Sequence, residues 1–372
     1  MSKTNIEELA RFGQSIWLDS ISRSMIETGE LQKMIDSGLR GMTSNPTIFD
    51  KAISSGQEYD GSIRELHKHG KSTFEIYDDL TVKDVQDAAD LFKPVYERSE
   101  GLDGYVSLEI NPKLAFQTEE TINEGKRLHK KVNRSNVMFK VPSTEAGFPA
   151  IEELLSEGIN VNITLIFSLE QYVKTAHAYL RGMKRLLDKG GDLSRMASVA
   201  SVFVSRIDTA VDKLIDEKIS KAQDEDSKNR LMSLRGRAAV ANSCLIFQKY
   251  EEIFEGKEFS SLRERGAHVQ RVLLGSTGTK DPAYSDIKYV SELMGKPTVN
   301  TLPEKTLDAF LDHGVIEETL TKDKDEAQKV LDRLNDFEID IKTICAKLLD
   351  EGVISFEKSF DSLLNTIEIK NK

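Results

Sequence analysis

A lysine in the middle of an apolar run is the first residue of the chain whose position calls for chemistry. Lys140 lies in Asn136-Val-Met-Phe-Lys-Val-Pro-Ser-Thr144, a segment that reads as a buried strand, and an ammonium is costly to bury unless it is paired. Desolvation lowers the pKa of a lysine, and a neutral amine can attack a ketone to form a Schiff base. A side chain that snorkels from the strand end into solvent is the other reading of this segment. Asp19 in Trp17-Leu-Asp-Ser-Ile21 and Glu109 in Val106-Ser-Leu-Glu-Ile-Asn-Pro112 fall near the ends of two further short apolar runs. Schiff-base cleavage of a carbon–carbon bond needs an acid/base to form and dehydrate the carbinolamine, and a base for the hydroxyl proton released as the bond breaks. Two carboxylates beside an amine supply both functions. Each can instead cap the following helix or pair with an arginine.

Further polar residues recur at the ends of similar runs. Asn45 precedes a proline in Thr43-Ser-Asn-Pro-Thr47, which suits either an ordinary turn or an amide offered to substrate hydroxyls. Asn162 and Thr164 alternate in Val161-Asn-Ile-Thr-Leu-Ile-Phe167 and therefore face one side of a strand, as core hydrogen-bonding groups or as ligands. Ser201, Phe203 and Ser205 share a face of Ser198–Arg206, with Arg206 at the expected strand end. An arginine there fits bidentate phosphate recognition as well as a surface ion pair. Ser276-Thr-Gly-Thr-Lys280 offers hydroxyls, backbone amides and a cation, without the Gly-Lys-Ser/Thr of a P-loop. The histidines (His67, His69, His129, His177, His268, His313) have no metal-ligand spacing and HExxH is absent, so no metal and no cofactor is expected.

The elements that must carry these residues follow from a repeated pattern: a short apolar run rich in β-branched residues, a polar loop, then a segment with helical spacing. Such runs occur at Ser15–Asp19, Leu39–Pro46, Tyr105–Ile110, Val137–Pro142, Val161–Phe167, Ser198–Arg206, Arg271–Thr277 and Pro297–Pro303. Eight strands alternating with helices predict an α/β fold of the (β/α)₈ TIM-barrel class, in which reactive groups project from the C-terminal strand ends and phosphate often lies after strands seven and eight. An open doubly wound sheet would also alternate, but the Gly-rich turn of dinucleotide binding is missing after the first strand. Residues 168–188 are predicted helical, and residues 208–266 form a long helical connection that crosses a turn within Asp216–Arg230. Residues 304–372 form a helical, acidic cap, so that residues 1–372 read as one barrel domain with additional helices.

The 372 residues carry a net charge of -11. That excess of acid argues against nucleic acid or a membrane surface as partner, though not against a small phosphorylated substrate. Cys244 and Cys345 lack CxxC spacing and read as thiols of a reducing, cytoplasmic setting. The first ten residues have the pattern of an acidic amphipathic helix rather than of a signal peptide, and no apolar run is long enough to span a bilayer.

Taken in order, these segments closely resemble the transaldolase family. The matching motifs are Asp19, Thr-Ser-Asn-Pro-Thr, Val-Ser-Leu-Glu, Met-Phe-Lys-Val-Pro-Ser-Thr, Asn-Ile-Thr-Leu-Ile-Phe-Ser, Val-Phe-Val-Ser-Arg-Ile-Asp and Gly-Ser-Thr-Gly-Thr-Lys, over residues 10–305. Each is weak alone; the ordered set is specific. The resemblance implies transfer of a dihydroxyacetone unit from sedoheptulose 7-phosphate or fructose 6-phosphate to glyceraldehyde 3-phosphate or erythrose 4-phosphate, in the non-oxidative pentose phosphate pathway. It implies Lys140 as Schiff-base nucleophile, Asp19 as base for the hydroxyl proton, and Glu109 with Thr164, through a water, as proton shuttle. Asn45, Asn162 and Ser201 would hold the three-carbon unit, and Arg206 with Ser276 the phosphate. The family's better-known pattern has an arginine after that serine; here Lys280 stands as its replacement. The long helical insertion after strand six and the helical C-terminus suggest the longer variety of the family, as monomer or homodimer. A fructose-6-phosphate aldolase releasing free dihydroxyacetone is the nearest rival, and Phe203 in place of a tyrosine favours the transferase. A catalytically dead barrel would be expected to have lost Lys140 or a carboxylate.

Overall fold

The computed structural model describes residues 4–322 and 324–370; expectations that fall on residues 1–3, 323, 371 and 372 lie outside the described residues. Each of the eight apolar runs contains a strand: β1 (Gln14–Leu18), β2 (Gly41–Thr43), β3 (Tyr105–Glu109), β4 (Val137–Pro142), β5 (Val161–Ile166), β6 (Ser198–Phe203), β7 (Arg271–Gly275) and β8 (Thr298–Leu302). All pair in parallel and in chain order, and β1 bonds to both β2 and β8, so the sheet closes into a (β/α)₈ barrel. Every strand residue is buried, because helices cover the outer face while side chains fill the interior.

Side-chain alternation along the strands sorts the interior into layers. Trp17, Tyr105, Met138, Val199, Leu273 and Val299 form an apolar layer inside the barrel. On its N-terminal side the Arg271 guanidinium meets Asp103 at 2.9 Å and donates to Ser15 Oγ at 2.9 Å, a buried ionic floor. Two residues further along the strands in the other direction stand Asp19, Lys140, Ser201 and Thr301, and the interior turns polar. Gly41 makes room for the large ring of this layer: a Cβ there would lie 2.6 Å from the Trp17 indole. Gly41→Ala is therefore expected to destabilise the barrel by about 1–3 kcal/mol through overpacking. The measurement is the urea midpoint at constant m-value, and an unchanged midpoint would mean that the indole simply moves aside.

Two strands, β2 and β6, end three residues before the ends of their apolar runs. β2 stops at Thr43 because Asn45 Oδ1 accepts from Ile48 N at 3.0 Å and caps the helix Pro46–Ser55, with the proline in its tolerated first position. β6 stops at Phe203 because Val204 turns the backbone (φ -97°, ψ -71°) into the helix Ser205–Lys221. Ser205 thus leaves the strand face it was expected to share with Ser201 and Phe203, and Arg206 sits in a first helical turn rather than at a strand end. The predicted helix at 168–188 is Leu169–Asp188, with Ser168 and Gln171 as a reciprocal capping box. The charged stretch after β6 breaks between Lys221 and Glu225, inside the interval where a turn was expected.

After β8 the chain forms the helices Glu304–His313, Lys324–Asp336 and Ile341–Lys370. The last of these packs on Pro46–Ser55 and Ser205–Lys221 at the C-terminal mouth of the barrel. Both cysteines are buried. Among the described residues, no helix is long and apolar enough to cross a membrane.

Candidate active site

The C-terminal strand ends open into a cavity of about 270 Å³. Lys140, Asp19, Thr164, Asn45, Ser201 and Phe203 line its inner part, while Arg206, Ser276 and Lys280 line its outer part. Of the residues predicted for the site, only Glu109 and Asn162 lie behind this surface.

The pairing of β3 with β4 sets Glu109 opposite Lys140, and both side chains turn into the barrel. Lys140 is 4% exposed; its Nζ lies 3.3 Å from Glu109 Oε2 and donates to the Ser44 carbonyl at 3.1 Å. The amine is therefore held inside the barrel and does not snorkel. Ser44 is fixed in turn, since its hydroxyl donates to the Ser107 carbonyl at 2.6 Å.

Asp19 follows β1 directly, and its backbone N–H extends the β1–β8 ladder to the Leu302 carbonyl at 2.8 Å. Thr43 Oγ1 donates to Asp19 Oδ1 at 2.7 Å and lies 2.7 Å from Thr301 Oγ1. Since Thr43 has one proton and gives it to the carboxylate, Thr301 must donate to Thr43. Burial pushes both Asp19 and Glu109 above the usual carboxylate range, although the Lys140 charge opposes the shift. For Glu109, a carboxylate that resists ionisation is a better acceptor for a proton from the neighbouring ammonium.

Asn162 lies deeper. Its amide donates to Ser107 Oγ at 3.0 Å, and its oxygen accepts from Ser201 Oγ at 2.6 Å. Both ends of the side chain are thus used by the protein, the core role that strand alternation also allowed. Thr164, one inward position further on, is fully buried, and among the described residues its hydroxyl has no hydrogen-bond partner. Next to it β5 bulges: Leu165 takes φ 59° and the register against β6 shifts between Ile163 and Ile166.

At the outer end the Arg206 guanidinium lies 5.4 Å from the Phe203 ring centroid. Burial lowers its pKa against the attraction of Asp19 and Glu351, and among the described residues its side chain makes neither a hydrogen bond nor a salt bridge. Directly after β7 and beside Ser205, Ser276 holds a left-handed backbone (φ 54°), rare for a residue other than glycine. Its carbonyl accepts from Ser205 N at 3.0 Å, and the two hydroxyls lie 3.0 Å apart. Lys280 reaches the rim from an exposed position.

Sequence reasoning missed Thr43, Thr301 and Phe356. The first two were open to the alternation argument used for Asn162 and Thr164, since each is the inward residue at a strand end. Phe356 carried no signal: it lies within the C-terminal helix, far along the chain, and its ring centroid is 5.9 Å from Lys140 Nζ. One turn earlier on that helix, Gly352 fits against Leu165 and near the Arg206 guanidinium.

A buried amine 3.3 Å from one carboxyl, in a cavity that a second carboxyl lines, within a closed parallel barrel whose mouth holds a cation unpaired among the described residues, defines a site able to form a covalent adduct with the carbonyl group of an anionic substrate. Comparison with known proteins agrees with that class. Residues 16–367 match the family model described as Transaldolase/Fructose-6-phosphate aldolase, and the chain belongs to that family. It is 46% identical to a transaldolase of Trichodesmium erythraeum, over 100% of this chain and 99% of the relative. Identity to transaldolase 2 of a Nostoc species is 44%, with the same coverage, and to a transaldolase of Mycobacterium ulcerans 44%, over 98% and 97%.

Proposed function

We propose that the chain is a transaldolase that moves a dihydroxyacetone unit between sugar phosphates through a Schiff base on Lys140. The observation that carries this reading is the Lys140 amine, buried and 3.3 Å from Glu109, at the floor of a cavity that Asp19 also lines. Proton transfer to Glu109 frees the amine to add to the ketone carbon of the donor. Glu109 with Thr164, through a water, then returns the proton that lets hydroxide leave as water and the iminium form. The iminium draws electrons from the adjacent bond. As the C3–C4 bond breaks, Asp19 takes the C4 hydroxyl proton, an aldose phosphate departs, and an enamine stays on the lysine. An acceptor aldehyde reverses these steps: its carbonyl carbon bonds to the enamine, and Asp19 gives its proton to the new hydroxyl.

Asn45 uses Oδ1 as a helix cap and keeps its amide N–H groups for substrate, while Ser201 borders the same space. Asn162 acts by orienting Ser201. Arg206, at the positive end of a helix, pairs with the substrate phosphate together with Ser276 and Lys280. Phe203 and Phe356 keep the enamine apart from water, which favours transfer over hydrolytic release. This distinguishes the transferase from the aldolase that shares the family name. Two buried cysteines without CxxC spacing suit a reducing, cytoplasmic setting.

Borohydride added with fructose 6-phosphate tests the reading. The expected product is a reduced three-carbon adduct on the peptide that bears Lys140, and unmodified protein would exclude the mechanism. Release of free dihydroxyacetone as fast without erythrose 4-phosphate as with it would favour the aldolase.

A further inference from the structure

The cations proposed to hold phosphate come from two segments: Arg206 from the start of Ser205–Lys221, and Lys280 from the chain after β7. From Ser276 to Ile287 that chain is irregular until the short helix Lys288–Ser291, so side-chain ties rather than ladder bonds set where Lys280 sits. Asp208, Asp212 and Asp216 supply such ties from one face of Ser205–Lys221, at spacings of four residues.

Asp208 is fully buried; its Oδ1 accepts from Ala239 N at 2.7 Å and its Oδ2 from the Tyr289 hydroxyl at 2.8 Å. One turn on, Asp212 Oδ1 accepts from Gly236 N at 2.9 Å and Oδ2 from the Tyr284 hydroxyl at 2.8 Å. Gly236 allows this approach, since a Cβ there would lie 2.7 Å from the Tyr284 ring. One turn further, Arg235 donates to Asp216 at 2.8 Å and to Asp281, next to Lys280, at 3.0 Å. Asp281 also accepts from Ala283 N at 2.9 Å, so the turn after Lys280 is pinned at both carboxylate oxygens. Burial pushes Asp208 up to about 6, and that carboxylate is sustained by two donors, one of them from the segment it holds.

We infer that the ladder Asp208–Tyr289, Asp212–Tyr284 and Asp216–Arg235–Asp281 is a positioning device that sets the span between Arg206 and Lys280, and with it the preference for substrates that end in phosphate. The inference rests on the proposed role of Arg206 and Lys280. None of the ladder residues touches the reacting carbons; they act through the placement of the two cations. A dianion held by two cations loses affinity steeply when one is free to drift, whereas carbonyl chemistry at Lys140 does not depend on that span.

The test removes the tyrosine hydroxyls while keeping the rings, in Tyr284→Phe with Tyr289→Phe. At fixed saturating donor, KM for a phosphorylated aldose acceptor is expected to rise about tenfold, with kcat and the activity on the same aldose without phosphate altered by less than about twofold. Arg235→Gln, at a partly exposed site, loosens the third tie without removing a tyrosine hydroxyl and serves if the double variant fails to fold; it is expected to show the same selective rise, smaller in size. Equal losses on both acceptors, or no change on either, would overturn the inference. Arg206→Ala calibrates the reading beneath it. If that variant raises KM selectively for the phosphorylated acceptor and the ladder variants do not, the ladder fails alone. If it too is unselective, the assignment of the phosphate end fails with it.

Discussion

Lys140→Ala is expected to abolish exchange, with a loss of about 10⁴-fold or more, because the covalent step itself disappears. The change leaves Glu109 and Asp19 in place, so substrate can still enter a cavity that is polar at one end and cationic at the other. The informative measurement pairs turnover with binding: kcat for dihydroxyacetone transfer collapses while the dissociation constant for fructose 6-phosphate changes little. The same variant should give no borohydride-trapped adduct. Truncation also removes the charge opposite Glu109, and a buried carboxyl that has lost its cation prefers its proton, so the fold tolerates the change by neutralising Glu109. Retained turnover would refute the Schiff-base route, whatever the fold.

The second large effect belongs to Asp19. Asp19→Asn keeps a carbonyl oxygen to accept from Thr43 and removes the ability to take a proton, so geometry is preserved while the base is lost. General-base removal is expected to lower kcat by about 10²–10⁴-fold. Its pH dependence has a definite sign. Burial raises the Asp19 pKa against the opposing effects of Lys140, Thr43 and Arg206, so the protonated, inactive form persists to higher pH than it would for an exposed aspartate. Activity of the native protein should therefore fall on acidification through a pH above the ordinary carboxylate value of about 4, and the limb assigned to Asp19 should vanish in Asp19→Asn. An acid limb at or below that value would remove desolvation as its cause. Glu109 is raised by burial in the same direction, so the two limbs are separated by comparing single variants rather than by reading one profile.

Strand order was legible in the chain because a strand covered on both faces must be nearly continuous in apolar residues, so a polar residue within it stands out. That contrast marked Lys140, Glu109 and Asp19 before any contact was known. Strand ends were less legible. The apolar run containing β6 continues past Phe203, and only the backbone turn at Val204 puts Arg206 on a helix. Asn45 illustrates a different limit: it is at once a helix cap and a cavity-lining residue, and local sequence had no means of dividing its two polar ends between those places.

Residue type and spacing were enough to point to a parallel barrel and to mark an amine and two carboxyls near strand ends, because burial periodicity and the cost of an unpaired charge are properties of short segments; the alternatives for each residue closed only when the ordered set of motifs was matched to a family. Distance decided the rest. The pairing of Lys140 with Glu109, the threonine relay behind Asp19, the use of Asn162 as support for Ser201, and the cover supplied by Phe356 each join residues brought together by strand register, barrel closure or the path of the last helix. These contacts follow from closing eight strands on one axis, and no local stretch of chain contains that closure.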